Sequence, residues 1–179
     1  QVLANKEIQD IIRCLDAGVG KDFNLDKVRY GRVFFGTDAD VDGGAISVLL
    51  TMVFWDFFRP MLEAGKVYQL LTPLFVITPK KKGADRMYAL NEFELEEITR
   101  ELDAANTKYT IKRIKGLGEA GADVLSETAM NPETRVVKQI TVKDVEKAAE
   151  MLDITLGKEV EPRKEWIERN PYDFSKNLD

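Results

Sequence analysis

Arg32-Val33-Phe34-Phe35-Gly36-Thr37-Asp38-Ala39-Asp40-Val41-Asp42-Gly43-Gly44 is the stretch that decides how this chain folds and what it can hold. Arg32 to Thr37 is a short run rich in strand formers. It ends abruptly in acids and glycines, as a buried strand emptying into a site does. While the backbone stays extended, Asp38, Asp40 and Asp42 point to the same side, and Gly43-Gly44 lets the chain turn sharply. Three carboxylates packed together repel one another unless a cation neutralises them. Oxygen ligands without histidine or thiolate favour magnesium, with manganese or calcium able to substitute.

Other readings of these residues can be weighed on the same pattern. A solvated acidic loop would explain three aspartates without function, but such a loop rarely follows so apolar a strand. An EF-hand matches Asp-x-Asp-x-Asp-Gly over its opening positions. Its last position needs a bidentate glutamate, and that position holds Leu49, so the EF-hand fails. A phosphatase forming an aspartyl-phosphate also sets Asp-x-Asp at a strand end, and needs a separate lysine and further acids that the spacing alone does not identify.

Working outward, Ile8, Ile11, Ile12 and Leu15 recur at helical spacing, which predicts an amphipathic helix over 5–17 stopped by Gly18 and Gly20. Beyond Gly43-Gly44 a long run to about Glu63, apolar on nearly every side, predicts a buried helix closed by Gly65. Val67 to Thr78 reads as a strand pair or bent strand broken by Pro73. Lys80-Lys81-Lys82-Gly83 is a basic turn, and Met87 to Leu90 a short strand. Asn91, with Glu94 three residues on, caps a helix of about 12 residues. Lys108 to Ile114 alternates like a strand and ends at Lys115-Gly116-Leu117-Gly118-Glu119. Helices follow near 120–129, 142–152 and 161–169, and a polar tail runs from Pro171. Strands alternating with helices predict an α/β sheet with its ligand beyond the carboxyl ends of the strands.

Composition narrows the chemistry further. The 179 residues suit one domain. With no histidine, a Ser-His-Asp triad, a Cys-His pair and a histidine-ligated zinc are excluded within the chain. The single cysteine, Cys14, rules out an internal disulfide and a cysteine zinc cluster, and fits a reducing compartment. Net charge is −5, which argues against gripping nucleic acid by bulk positive charge but leaves room for a local basic patch. The longest apolar stretch, Ala45 to Phe58, contains Ser47, Thr51 and Asp56 and falls short of the ~20 residues a membrane span needs. The expected location is cytoplasmic, with no membrane partner.

Thr37-Asp38-Ala39-Asp40-Val41-Asp42-Gly43 followed by an apolar helix resembles the magnesium motif of the TOPRIM domain in bacterial gyrase B and topoisomerase IV ParE subunits. The resemblance continues in Asn5-Lys6-Glu7-Ile8, Gly18-Val19-Gly20, Ala64-Gly65-Lys66-Val67-Tyr68 and Pro73-Leu74-Phe75. It extends through Lys115-Gly116-Leu117-Gly118-Glu119, Glu127-Thr128-Ala129-Met130-Asn131-Pro132 and Val160-Glu161-Pro162-Arg163-Lys164-Glu165-Trp166-Ile167.

The resemblance implies a Rossmann-like TOPRIM domain over 1–170, with a mostly parallel sheet flanked by helices, C-terminal helices and a polar tail at 171–179. It implies the magnesium-binding part of an ATP-dependent type IIA DNA topoisomerase that cleaves and religates double-stranded DNA, active only with partner chains. Asp38, Asp40 and Asp42 would be the catalytic and metal-binding residues, Asp38 and Asp40 as direct ligands, with Asp38 shared between two metal positions. Asp42 would act close by, through water. Lys115 and Arg135 would contact DNA phosphates. The partners implied are a tyrosine-bearing subunit of the GyrA/ParC type and an ATPase chain or domain, which uses the ATP. Two rival classes are a stand-alone metal-dependent nuclease or phosphohydrolase, and a non-catalytic assembly module.

The chain also departs from the family pattern. The catalytic glutamate, in a Glu-Gly-Asp-Ser-type strand, belongs upstream of the stretch present here, as does a Pro-Leu-x-Gly-Lys segment. The expectation is a fragment or split subunit that pairs with a piece carrying that glutamate and first strand. Where relatives place histidine and arginine after Asp-Gly, this chain has Ala45 and Ser47, which predicts weaker or redistributed phosphate contact. The short stretch between Lys80 and Lys115 leaves no room for a large inserted domain.

Overall fold

A computed structural model describes residues 2–170; the polar tail at 171–179 lies outside the described residues. The strand leading to the aspartates is β1 (Val33–Phe35). It is followed by α2 (Val41–Phe57), α3 (Arg59–Glu63) and β2 (Val67–Leu71), after α1 (Lys6–Leu15) at the start. Next come β3 (Phe75–Pro79), β4 (Met87–Ala89), α4 (Glu92–Ala104) and β5 (Tyr109–Arg113). A short α5 (Ala122–Leu125) runs on as a π-helical turn (Ser126–Met130), and β6 (Val136–Gln139), α6 (Val142–Leu156) and α7 (Glu161–Arg169) complete the order.

These strands form two three-stranded sheets, ordered β1-β2-β6 and β4-β3-β5. Among the described residues only β1 and β2 pair in parallel, with Val33 opposite Val67, and α2 and α3 between them supply the crossover that a parallel pair needs. β2 meets β6 antiparallel, and both β4 and β5 run antiparallel to β3. The fold is α/β, but the mostly parallel Rossmann-like sheet expected from the sequence is not what forms. Pro73 separates β2 from β3 and sends them to different sheets. Residues 80–86, between β3 and β4, are too few for a crossover helix, so those strands close as a hairpin.

The first sheet packs one face on the main core. Phe35, Val67 and Ile140 meet Leu15 of α1, Phe54 of α2, Met61 and Leu62 of α3, Val145 of α6 and the fully buried Phe58. On the second sheet, Phe75 and Ile77 lie against Leu95, Ile98 and Leu102 of α4, while Val76 on the opposite face meets Val124 of α5. Among the described residues, no helix is long and apolar enough to cross a membrane.

Two helix boundaries differ from the pattern read in the sequence. α2 begins at Val41, before the paired glycines rather than after them, because Asp40 caps it: its Oδ1 accepts from the Gly43 amide at 2.7 Å. The run to Glu63 is also two helices. Pro60 has no amide to donate, and the chain breaks at Phe58, whose φ of −135° leaves the helical region. Asn91 caps α4 as read, although Glu94 reaches back to the Leu90 amide instead of that of Asn91.

Candidate metal centre

β1 delivers Thr37 and Asp38 to the mouth of the first sheet, and the chain then folds across the N-terminus of α2. Gly43 makes this possible. A Cβ there would sit 2.1 Å from the Asp38 carbonyl oxygen, so only glycine lets the helix start press against that backbone. Its role is close approach inside the first helical turn, not a turn ahead of the helix. Asp38 and Asp40 both line an open cavity of about 480 Å³, together with Thr37, Ser47, Gln69 and Asn91.

Each aspartate has a distinct position. Asp38 Oδ1 accepts from the Leu117 amide at 2.7 Å, so the turn after β5 lies directly on this carboxylate. Asp40 Oδ1 is committed to the helix cap. Neither Oδ2 takes a hydrogen bond from another described residue. Asp42 is exposed in the first turn of α2 and does not line the cavity. The extended backbone that would have aligned all three side chains ends at Asp40, because the helix begins one residue later. The helix end itself favours acids at Asp40 and Asp42, since its unpaired amides carry partial positive charge. Part of the repulsion in the cluster is therefore relieved by the fold.

Magnesium asks for oxygen donors and is commonly held by one or two carboxylates, with water and phosphate completing its shell. The open oxygens of Asp38 and Asp40 on one cavity fit that donor chemistry. Among the described residues, no group of three or more acidic or sulfur side chains comes together as a metal-holding set.

Gln69 on β2 is a contributor that the sequence did not reveal. Its Nε2 donates to Thr37 Oγ1 at 3.2 Å, and its Oε1 accepts from Ser47 Oγ. Ser47, through Gln69, thus ties α2 to the loop before the aspartates. No local pattern marks Gln69, because its partners are 32 and 22 residues away.

The two residues expected at DNA phosphates have different surroundings. Lys115 is exposed and adjoins the turn that touches Asp38. Arg135 is half-buried, with its guanidinium 4.3 Å above the Phe34 ring on β1, and it does not line the cavity.

A second polar cluster joins β4 to the π-helical turn. Tyr88 donates to the Glu127 carboxylate, and Arg86 pairs with Asp123 at 2.5 Å. The hydrogen bond from Arg86 holds the Asp123 carboxyl below its ordinary value. Burial, then the bond to Glu127, pushes the Tyr88 phenol up to about 12. Because its folded value lies above the unfolded one, the stability Tyr88 contributes is complete below pH 10.0 and is lost as pH rises through about 12. Subtracting the alkaline absorbance titration of a Tyr88→Phe chain should isolate one phenol titrating near 12, whereas an ordinary midpoint would show that neither its burial nor the Glu127 contact holds in solution.

Comparison with known proteins extends the picture beyond the site. A family model described as DNA gyrase B subunit, carboxyl terminus, matches residues 106–168. The B subunit of DNA topoisomerase 4 from Streptococcus pneumoniae is 41% identical over 170 residues, covering 94% of this chain and 26% of that protein. The DNA gyrase B subunit of Halalkalibacterium halodurans is 42% identical over 179 residues, covering 100% of this chain and 27% of the relative. The gyrase B subunit of Thermotoga maritima is 41% identical over 170 residues, covering 95% of this chain and 26% of the relative. The chain spans about a quarter of the length of these relatives.

Proposed function

This chain belongs with the carboxyl-terminal region of the B-type subunits of type IIA DNA topoisomerases, and on that premise we propose that it is the magnesium-holding TOPRIM part of such an enzyme. The observation that carries the reading is the convergence of Asp38 and Asp40 on one cavity, with the Lys115-Gly116-Leu117 turn closed over Asp38. Bound there, magnesium would supply charge stabilisation at a DNA phosphate and at the oxygen leaving it.

The chain's own residues divide the remaining work. Asp38 and Asp40 present carboxylate oxygens. Asp42, outside the cavity lining, acts through water or through the field at the helix end. Lys115 stands exposed beside the site, where it can meet a DNA phosphate. Arg135, held over Phe34, would contact a DNA phosphate outside the cavity. Cutting requires a tyrosine-bearing subunit of the A type, and strand passage requires an ATPase region.

Reconstitution tests this. The chain, combined with an A-type subunit and the ATPase region of a relative, should give magnesium-dependent double-strand cleavage and ATP-dependent relaxation or decatenation. Phosphodiester hydrolysis by the chain alone would instead identify a nuclease. An assembled complex whose cleavage ignores changes at Asp38 would leave this segment only a scaffolding role.

A further inference from the structure

We infer that the Gly116-Leu117 turn is the positioning element of the Asp38 carboxylate, fixing Oδ1 through the Leu117 amide and leaving Oδ2 as the oxygen for a cation. The inference rests on the reading of Asp38 as a ligand and adds what orients it. The Leu117 amide lies 2.7 Å from Asp38 Oδ1. A Cβ on Gly116 would stand 3.0 Å from Oδ2, 3.2 Å from Cγ and 3.3 Å from Oδ1, so the carboxylate lies flat against the Gly116 backbone. Gly116 has φ −158° and ψ 162°, an extended conformation open to any residue. What glycine provides here is room.

The turn can act as a brace because it is itself held. Its amides at Glu119 and Ala120 donate to the Gly116 and Leu117 carbonyls, and the Lys115 amide donates to Glu119 Oε2. Just upstream, the Ile114 amide donates to the Leu74 carbonyl at 2.8 Å, anchoring the turn to the second sheet. Gly43 lets the start of α2 lie directly against the Asp38 backbone. A carboxylate restrained at one oxygen by a fixed amide loses rotamers before a cation arrives, and partners of this kind commonly change metal affinity by about 10–100-fold.

Gly118 supplies an internal control, since a Cβ there meets nothing within 4 Å. Manganese, followed by its paramagnetic resonance signal, is titrated into the full chain, Gly116→Ala and Gly118→Ala. Hydrogen exchange at the Leu117 amide is measured in the unaltered chain, in Asp38→Asn and in Asp38→Ala. The expected result is affinity weakened about 3–10-fold in Gly116→Ala and unchanged in Gly118→Ala. Leu117 should be protected in the unaltered chain and in Asp38→Asn, which keeps an acceptor, and should lose protection in Asp38→Ala.

Equal affinity in all three chains, or equal weakening by both alanines, overturns the positioning role while leaving Asp38 a ligand. An unprotected Leu117 amide in the unaltered chain also overturns it. Failure of the unaltered chain to bind manganese overturns both this inference and the metal reading beneath it.

Discussion

Replacing Asp38 and Asp40 together by asparagine should lower magnesium-dependent DNA cleavage by the assembled enzyme about 100-fold or more, with the fold nearly as stable as before. Asparagine is chosen because the two aspartates have structural as well as chemical roles. Asp40 caps α2 through Gly43, and asparagine caps as well as aspartate, whereas alanine there costs about 1 kcal/mol. In Asp38→Asn the amide side chain likewise keeps an oxygen for the Leu117 amide. The substitution thus removes charge and leaves both hydrogen bonds possible. A cation's charge stabilisation at a phosphate is worth several kcal/mol, and each 1.36 kcal/mol is about tenfold in rate, which sets the expected loss. Cleavage products are quantified at saturating magnesium, with urea unfolding in parallel. Unchanged cleavage in a stably folded double variant would remove the assignment.

The largest effect on stability should come from Phe58→Ala, at about 3–5 kcal/mol. Phe58 is fully buried at the break between α2 and α3. Its ring meets Phe54 at 5.1 Å and the edge of Phe23 at 5.5 Å, and Phe54 in turn meets Phe35 of β1 at 5.0 Å. This line of rings links the loop after α1 to the strand that carries the aspartates. Removing its middle leaves a cavity and also breaks aromatic contacts. Against a typical domain stability of about 5–15 kcal/mol, such a loss moves the urea midpoint far enough to measure directly. Phe93→Ala on α4, where the side chain is 81% exposed, serves as the comparison and should change stability by less than about 0.5 kcal/mol. Similar small losses in both chains would mean that the core is centred elsewhere.

How much of this was legible in the sequence varies from residue to residue. The strand before the aspartates, the helix capped by Asn91 and the strand before Lys115 are local patterns, and each formed close to its expected bounds. The start of α2 was misjudged because two glycines inside a helix each cost about 1 kcal/mol relative to alanine. What offsets that cost is the Asp40 cap on the Gly43 amide, and the Asp38 backbone lies so close to Gly43 that no side chain would fit there, which only the folded chain reveals. The break at Pro60 was signalled by the proline itself. β6 was missed as a strand, since its four residues fall between two helical stretches. Sheet direction was not legible either: which strand lies beside which is decided by distant pairing, and the turn signal at Pro73 fits one sheet or two.

For the candidate site, the aspartates and the Lys115 turn were visible as separate motifs, and the structure brings them into contact. The withdrawal of Asp42 into a helical turn, and the linking role of Gln69, depend on geometry that spacing does not encode.

Asp38 and Leu117 are 79 residues apart, on segments that follow strands of different sheets. Contacts across so long a loop come late, because the entropy of closure must be overcome before they reward it. During synthesis the carboxylate leaves the ribosome well ahead of the amide that will steady it. A nascent chain therefore carries its acids unbraced until both sheets are in place, and under the proposed metal reading tight ion capture would be a sign that maturation has finished.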